Sequence, residues 1–267
     1  MPYILIETRF LNGDIRIEKC FSLRYGKKCS RGGNVSGTPE TQKEINARRA
    51  KRNREDLIIN NFSEGDIWAS LTYPRDLRPD TPDAAHKTVT AFMKKIKRKY
   101  PDVKYFLKTE TGETGNHHHH MFFSWGGHTK EILFTDKRTE KEIRSVVPMD
   151  EKDLKNLWRE HIGMEKGRRG GGDVKEIYNL SNGELLEYFG KRIPKTTDAD
   201  GKPKEYLYEK YSHSRNLKKP VVVKKVISNK SWRRVPRPRK GYEVTELWNG
   251  TDAVGFEKQT YVLRKRC

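Results

Sequence analysis

Asp66-Ile67-Trp68-Ala69-Ser70-Leu71-Thr72-Tyr73 alternates without a break: Ile67, Ala69, Leu71 and Tyr73 fall on one side, Trp68, Ser70 and Thr72 on the other. A period of two is the pattern of a β-strand with one buried face. Downstream, Asp80-Thr81-Pro82-Asp83 has the chemistry of a helix start. Ala85, Val89, Phe92, Met93 and Ile96 follow at helical spacing, with Lys and Arg opposite, and Pro101 ends that helix. Val103–Glu110 and His118–Ser124 read as two further strands, joined by Thr111-Gly112-Glu113-Thr114-Gly115-Asn116. Strand, long helix, strand, strand is the order of an α+β, ferredoxin/RRM-like palm: an antiparallel sheet of about five strands with helices packed on it.

On the N-terminal side, Tyr3–Arg9 and Asp14–Phe21 alternate around Leu11-Asn12-Gly13, which predicts a hairpin. Arg24–Ser36 is a basic loop rich in Gly and Ser. Thr38-Pro39-Glu40-Thr41 opens a helix expected to run to about Asn60, with Arg48, Arg49, Lys51, Arg52 and Arg54 on its surface. On the C-terminal side the pattern weakens after Trp125. Lys152–His161 reads as a short helix, Gly167–Gly172 as a turn, and Ser181-Asn182-Gly183-Glu184 as a capping box that opens a helix ending near Pro194. Val221–Val223, Tyr242–Trp248 and Thr260–Leu263 read as strands, with Asn249-Gly250 as a turn. The expected organisation is an N-terminal hairpin and basic loop over 1–37, a central domain over 38–220, and a basic, β-rich extension of that domain over 221–267.

Charge narrows the partner. Lys and Arg number 56 against 36 Asp and Glu, a net of +20, which suits a polyanion, and nucleic acid is the commonest one. No apolar run is long enough to span a bilayer and no basic amphipathic helix backs onto a wide apolar face, so no membrane role is expected. The N-terminus lacks the pattern of a secretion signal. The three cysteines, Cys20, Cys29 and Cys267, form no Cys-x-x-Cys pair, which fits reduced thiols in a cytoplasmic protein. A Gly-x-x-x-x-Gly-Lys-Ser/Thr loop is absent, so ATP-driven chemistry is not expected.

Two groups of residues carry chemistry. The run His117-His118-His119-His120 lies on a strand, so His118 and His120 share one face and His117 and His119 the other. Either pair could grip one divalent ion; the apolar triple after His120 favours the first. Glu110 ends the preceding strand and a short hairpin would bring its carboxylate to His118 and His120, with Glu113 as the alternative from the loop. Two nitrogens and one oxygen suit Mn²⁺, or Mg²⁺ with retained waters. A polar run or a tag fragment is the bland alternative. The second group is Tyr188 and Lys191 on the predicted helix, a phenol and an ammonium three residues apart that could meet one phosphate. Gly190 interrupts that helix at a cost of about 1 kcal/mol relative to Ala. Tyr206, Tyr208 and Tyr211 are further candidate nucleophiles.

Glu110, His118-His-His120 and Tyr188-Phe-Gly-Lys191 occur in the order found in the HUH endonucleases, the superfamily of rolling-circle replication initiators and relaxases, and the chain resembles them over about residues 38–220. Trp68-Ala-Ser-Leu-Thr72-Tyr73-Pro74 is similar to the first motif of that superfamily, a strand at the DNA surface. Thr38-Pro-Glu-Thr-Gln-Lys-Glu-Ile-Asn46 and Ser212-His-Ser-Arg-Asn-Leu-Lys-Lys-Pro220 resemble segments of initiators from Gram-positive mobile elements and filamentous phages. The resemblance implies nicking and joining of single-stranded origin DNA. Glu110, His118 and His120 would hold the ion, Tyr188 would form a 5′-phosphotyrosine link, and Lys191 would offset charge. Trp68, Thr72, Tyr73, Arg48, Arg52, Arg215, Asn216 and Lys218 would contact DNA. It implies a bacterial cell as the setting, with a host helicase and polymerase as partners. A relaxase or transposase of the same superfamily, a hydrolase using activated water, and a non-enzymatic single-strand-binding module are the alternatives.

Overall fold

The computed structural model describes residues 3–22, 25–26, 40–135, 142–180, 183–197, 203–228, 232–252 and 255–266. In chain order, β1 (Tyr3–Arg9) and β2 (Ile15–Phe21) precede α1 (Glu40–Ile59). Next come β3 (Ile67–Leu71), α2 (Pro82–Lys99), β4 (Lys104–Thr111), β5 (His117–Ser124), β6 (Thr129–Thr135) and β7 (Glu142–Pro148). They are followed by α3 (Glu151–His161), β8 (Asp173–Glu176), α4 (Glu184–Gly190), β9 (Pro194–Thr197), β10 (Pro203–Tyr206) and β11 (Glu209–His213). The last elements are β12 (Val221–Ile227), β13 (Tyr242–Thr251) and β14 (Glu257–Lys265). These segments form two compact units, one of residues 61–217 and one of residues 1–60 with 218–267.

The fold of the larger unit follows from the alternation in β3. Its sheet runs β11-β4-β5-β3-β8, every neighbour antiparallel. The succession β3, α2, β4, β5, α3, β8, with β4-β5-β3-β8 side by side, is the β-α-β-β-α-β arrangement of ferredoxin-like palms. β11 adds a fifth strand beside β4. The expected α+β palm is therefore the fold of this unit. Thr81 caps α2 by accepting from the Ala84 amide (3.2 Å), and Asp150 and Asp153 form a capping box on α3. Ala85, Val89, Phe92, Met93 and Ile96 of α2, with Leu154 and Trp158 of α3, bury against Ala69, Leu71, Leu107, Met121 and Phe123 on one face of the sheet. Each such side chain taken from water contributes about 1.5–3 kcal/mol. The opposite face carries Trp68, Phe106, Lys108, Glu110, His118, His120 and Phe122, and α4 lies against it through Phe189. β6 and β7 form a separate two-stranded hairpin between β5 and α3.

In the smaller unit the sheet order is β12-β1-β2-β14-β13. The predicted N-terminal hairpin is present, β1 pairing with β2 from Tyr3↔Phe21 to Arg9↔Ile15. Its partners correct the expectation for the C-terminal residues. β12 pairs with β1 and β14 with β2, so the segment from Val221 completes the sheet of the N-terminal hairpin, and among the described residues none of its strands joins the palm's sheet. α1 also belongs to this unit, held by the bidentate pair Arg16–Asp56 (2.6 and 2.6 Å) and by Arg52 on Glu18. Thr38, Pro39 and most of the basic loop lie outside the described residues. Asn249-Gly250 is not a turn. It lies within β13, paired with Gln259 and Lys258, and the chain reverses instead around Gly255. A side chain on Gly250 would meet the Trp248 ring at 2.5 Å, so packing explains the glycine.

Candidate metal centre

The β4–β5 hairpin sets the geometry. Its register places Glu110 opposite His118 and Lys108 opposite His120, while Thr109 faces His119 and Thr111 faces His117. Alternation then sends the four histidines to two different places. On the helix-covered face, fully buried His119 bonds through Nε2 to the Tyr73 hydroxyl (2.8 Å) and through Nδ1 to Thr109 (3.0 Å), which also meets His86 of α2 (2.8 Å). His117 bonds to Thr111 (3.0 Å). Burial holds the His119 pKa well below the usual imidazole range, so it stays neutral as a structural cross-brace.

On the other face Glu110, His118 and His120 converge. The Glu110 Oε1 atom lies 2.9 Å from His118 Nε2 and 3.0 Å from His120 Nε2, and the three candidate ligand atoms fall within 4.8 Å of one another. Burial alone would raise the Glu110 pKa, but hydrogen bonds from His118, His120 and Lys108 together outweigh it and hold the carboxyl well below its ordinary value. Burial lowers the His120 pKa, opposed by Glu110. An ionised carboxylate and a neutral imidazole are the forms that bind metal, and two nitrogens with one oxygen fit a divalent ion of the Mn²⁺ or Mg²⁺ kind. Gly112, in the turn between the strands, leaves room for the His118 ring; a Cβ there would stand 3.3 Å from its Cε1. Glu113 is exposed in that turn.

Tyr188 stands beside these ligands. Its ring meets the His120 ring edge to face at 5.3 Å and the Trp68 ring at 6.2 Å. Trp68 lies flat on His120, the rings 5.4 Å apart and 6° from parallel. Phe189, the residue after the tyrosine, is buried among Trp68, Phe106, Phe122 and Tyr211 and anchors α4 to the sheet. Tyr188 itself is 57% exposed. The other tyrosines are engaged elsewhere. Tyr208 donates to Asp83 (2.8 Å), with its pKa pushed up to about 12 by burial and that carboxylate. Tyr211 donates to Glu209 (3.0 Å), and Tyr206 lies under the Arg192 guanidinium.

Residues 66–192 match the model of a family described as replication-associated protein ORF2/G2P. The matched stretch contains Trp68, Glu110, His118, His120, Tyr188 and Lys191. The initiator-like segments at Thr38–Asn46 and Ser212–Pro220 fall outside it. No curated protein and no solved structure matches the chain. Among the described residues, no helix is long and apolar enough to cross a membrane.

Several residues expected at the site are placed otherwise. Within the matched stretch, α4 is shorter than predicted: it starts after Gly183, whose φ is +80°, and ends at Gly190. The proposed Ser181 cap lies outside the described residues. Lys191 is extended (φ −64°, ψ 134°), so it does not continue the helical face of Tyr188. Tyr73 is buried with its hydroxyl on His119 and cannot stack on a base as it stands. Thr72 is half-buried and gives its carbonyl to Trp158 Nε1 (3.1 Å). Asn216 bonds the Val103 and Asp102 carbonyls (3.1 and 3.3 Å) before β4, on the order of 20 Å along the strand from Glu110. Arg215 is exposed next to it. Arg48, Arg52 and Lys218 belong to the other unit. There Arg52 is committed to Glu18, while Arg48 and Lys218 are exposed.

One residue of the centre escaped the sequence reading. Lys108 is 1% exposed. Its ammonium contacts Glu110 Oε2, donates to the Lys191 carbonyl (2.6 Å) and lies 3.9 Å from Glu209. It thus occupies the carboxylate oxygen that the histidines leave free and ties the end of α4 to the ligand set. The signal was present: Lys108 is two residues before Glu110 on an alternating strand.

Proposed function

We propose that the chain nicks and rejoins single-stranded DNA at a replication origin through a covalent 5′-phosphotyrosine intermediate, initiating rolling-circle replication in the manner of the HUH endonucleases it resembles. The observation that carries this reading is the convergence of Glu110, His118 and His120 with the Tyr188 ring 5.3 Å from His120, inside the stretch that matches the replication-associated family. A divalent ion held by Glu110, His118 and His120 would supply Lewis-acid withdrawal of charge from the scissile phosphate. The Tyr188 oxygen attacks phosphorus, the bond from phosphorus to the 3′-oxygen of the preceding nucleotide breaks, and the phenolic proton is lost as the 3′-oxygen gains one. The products are a phosphotyrosine on the 5′ end and a free 3′-hydroxyl, a primer for a host polymerase. The link retains a phosphodiester, so attack by a 3′-hydroxyl rejoins the strand without ATP. Trp68 holds His120 flat and Phe189 holds the tyrosine turn, which pre-orients both groups. Lys191, three residues after the tyrosine and exposed at the end of α4, would supply positive charge to the phosphate if its flexible side chain turns toward Tyr188.

The test is incubation with a 3′-labelled single-stranded origin oligonucleotide and Mn²⁺, resolved on a denaturing gel. Label should move to the protein, disappear with chelator, and be lost in Tyr188→Phe. Cleavage that leaves a free 5′-phosphate and survives Tyr188→Phe would instead indicate a hydrolase, and binding without cleavage a non-enzymatic module.

A further inference from the structure

The net charge of +20 is unevenly distributed. Residues 61–217, which contain the whole candidate centre, hold 29 Lys and Arg against 25 Asp and Glu, a net of +4. Residues 1–60 and 218–267 hold 27 against 11, a net of +16. Part of that excess is committed internally: Arg16 to Asp56, Arg52 to Glu18, and Arg9 and Arg239 to Glu7. One stretch differs. In Trp232-Arg-Arg-Val-Pro-Arg-Pro-Arg-Lys240 the side chains of Arg233, Arg234, Arg237 and Lys240 are exposed, and among the described residues none of the four is in an ion pair.

The backbone of this strap is fixed. Fully buried Gln259 donates to the Arg233 and Arg234 carbonyls (2.8 and 3.2 Å) and to Asn249 Oδ1 (2.8 Å), and accepts from Lys19 (2.9 Å). Asn249 adds a bond to the Arg234 carbonyl (3.0 Å). At the far end Arg239 clamps Glu7 (2.5 and 3.2 Å) and its carbonyl accepts from the Tyr242 amide (3.0 Å). Between these anchors Pro236, which is buried, and Pro238 restrict the chain. A glutamine can be buried only if its polar atoms are paired. Here the partners are the strap's own carbonyls, which leaves the cationic side chains directed to solvent.

We propose that the strap Trp232–Lys240 is a phosphate-contacting surface for duplex DNA, independent of the chemistry at Tyr188. Its ordered backbone lowers the entropy lost on binding, and its unpaired cations meet phosphates without breaking an ion pair. It offers charge and no stacking platform. The one aromatic ring, Trp232, is held edge to face by Tyr3 (5.4 Å) with Lys19 over it (5.7 Å), so unstacked bases gain nothing from this surface. Contact through phosphates alone is indifferent to sequence.

Binding of a fluorescent duplex of arbitrary sequence, titrated across a salt series in the Tyr188→Phe background, tests this apart from any nicking. The full chain is compared with a variant carrying R233A, R234A, R237A and K240A, and with one carrying R233K, R234K and R237K. The alanine variant should bind on the order of 10-fold or more weakly near physiological salt. Its plot of log affinity against log salt should be shallower by about 0.9 for each phosphate that is no longer neutralised. The lysine variant, which preserves charge, should stay close to the parent. Unchanged affinity and slope in the alanine variant would overturn the proposal, as would a loss confined to single strands. Failure of the oligonucleotide to label Tyr188 would defeat the nicking reading and leave this salt slope as it is.

Discussion

Lys108 is the residue on which the centre is most exposed to a single change. Its ammonium is surrounded by Glu110, the Lys191 carbonyl and Glu209, with almost no solvent. Lys108→Met would leave buried Glu110 with only its two histidines, and breaking a buried ion pair typically costs about 3–5 kcal/mol. A urea titration should register that loss, and Lys108→Arg, which restores a donor and a charge, should recover part of it. Phe189 makes a different kind of demand. It contributes no chemistry, yet α4 has only seven residues and a helix that short has little stability of its own. In Phe189→Ala the amides of Glu184–Gly190 should exchange with solvent at least about 10-fold faster. Covalent labelling of the oligonucleotide should fall with them although Tyr188 is intact, and unchanged exchange would refute the anchor.

At the scale of elements, legibility tracked the strictness of the local pattern. β3 alternates cleanly, and β4 and β5 were marked by apolar runs on either side of a Gly-containing turn, so the division of the four histidines between two faces and the approach of Glu110 could be anticipated from residue spacing. α2 announced itself through its cap and apolar stripe, and α3 through its apolar residues alone. β6 was missed because Ile132-Leu133-Phe134 is a continuous run, in a hairpin whose faces are both exposed. β8 was missed because four residues carry too little pattern. The end of α4 was placed too far, near Pro194, because Gly190, read as an interruption within the helix, terminates it. Arg52 looked available because its partner Glu18 is remote in sequence. Gly250 illustrates how an Asn-Gly pair can mislead: the constraint is the neighbouring indole. Gly250→Ala should therefore destabilise the smaller unit by about 1–3 kcal/mol through overpacking, read as a shift in its denaturation midpoint. A neutral result would show that the Trp248 ring can move aside at no cost.

Across the whole molecule, the two units should answer to different solution variables. Glu7, buried in the smaller unit, has its pKa lowered from 4.5 to about 2, mainly by the Arg239 hydrogen bond, with burial opposing and Arg9 assisting. A depressed carboxylate stabilises the folded state above its unfolded pKa and loses that contribution as pH falls through the folded value. Acidification from about 4.5 to 2 should thus loosen the smaller unit, by on the order of 2 kcal/mol at most because Arg9 and Arg239 both reach solvent. Glu7→Gln should flatten that response. Mn²⁺ should instead protect residues 61–217, by an amount that grows with its concentration, and His120→Ala should abolish the protection. Peptide-resolved hydrogen exchange separates the two effects. Protection by Mn²⁺ that persists without His120 would count against the triad.

All three candidate ligands lie within a single stretch of eleven residues, Glu110 to His120, on adjacent strands of one hairpin. Their proximity therefore depends on closing one short turn, the fastest kind of tertiary contact for a chain to make. Such a coordination cassette is portable. Transplanted onto any antiparallel pair in the same register, with a lysine two positions before the glutamate, it should carry its donor geometry with it. The tyrosine, whose position depends on a separate helix packed from elsewhere, would not come along. In laboratory evolution of this scaffold, ion binding should accordingly survive rearrangements that uncouple it from strand transfer.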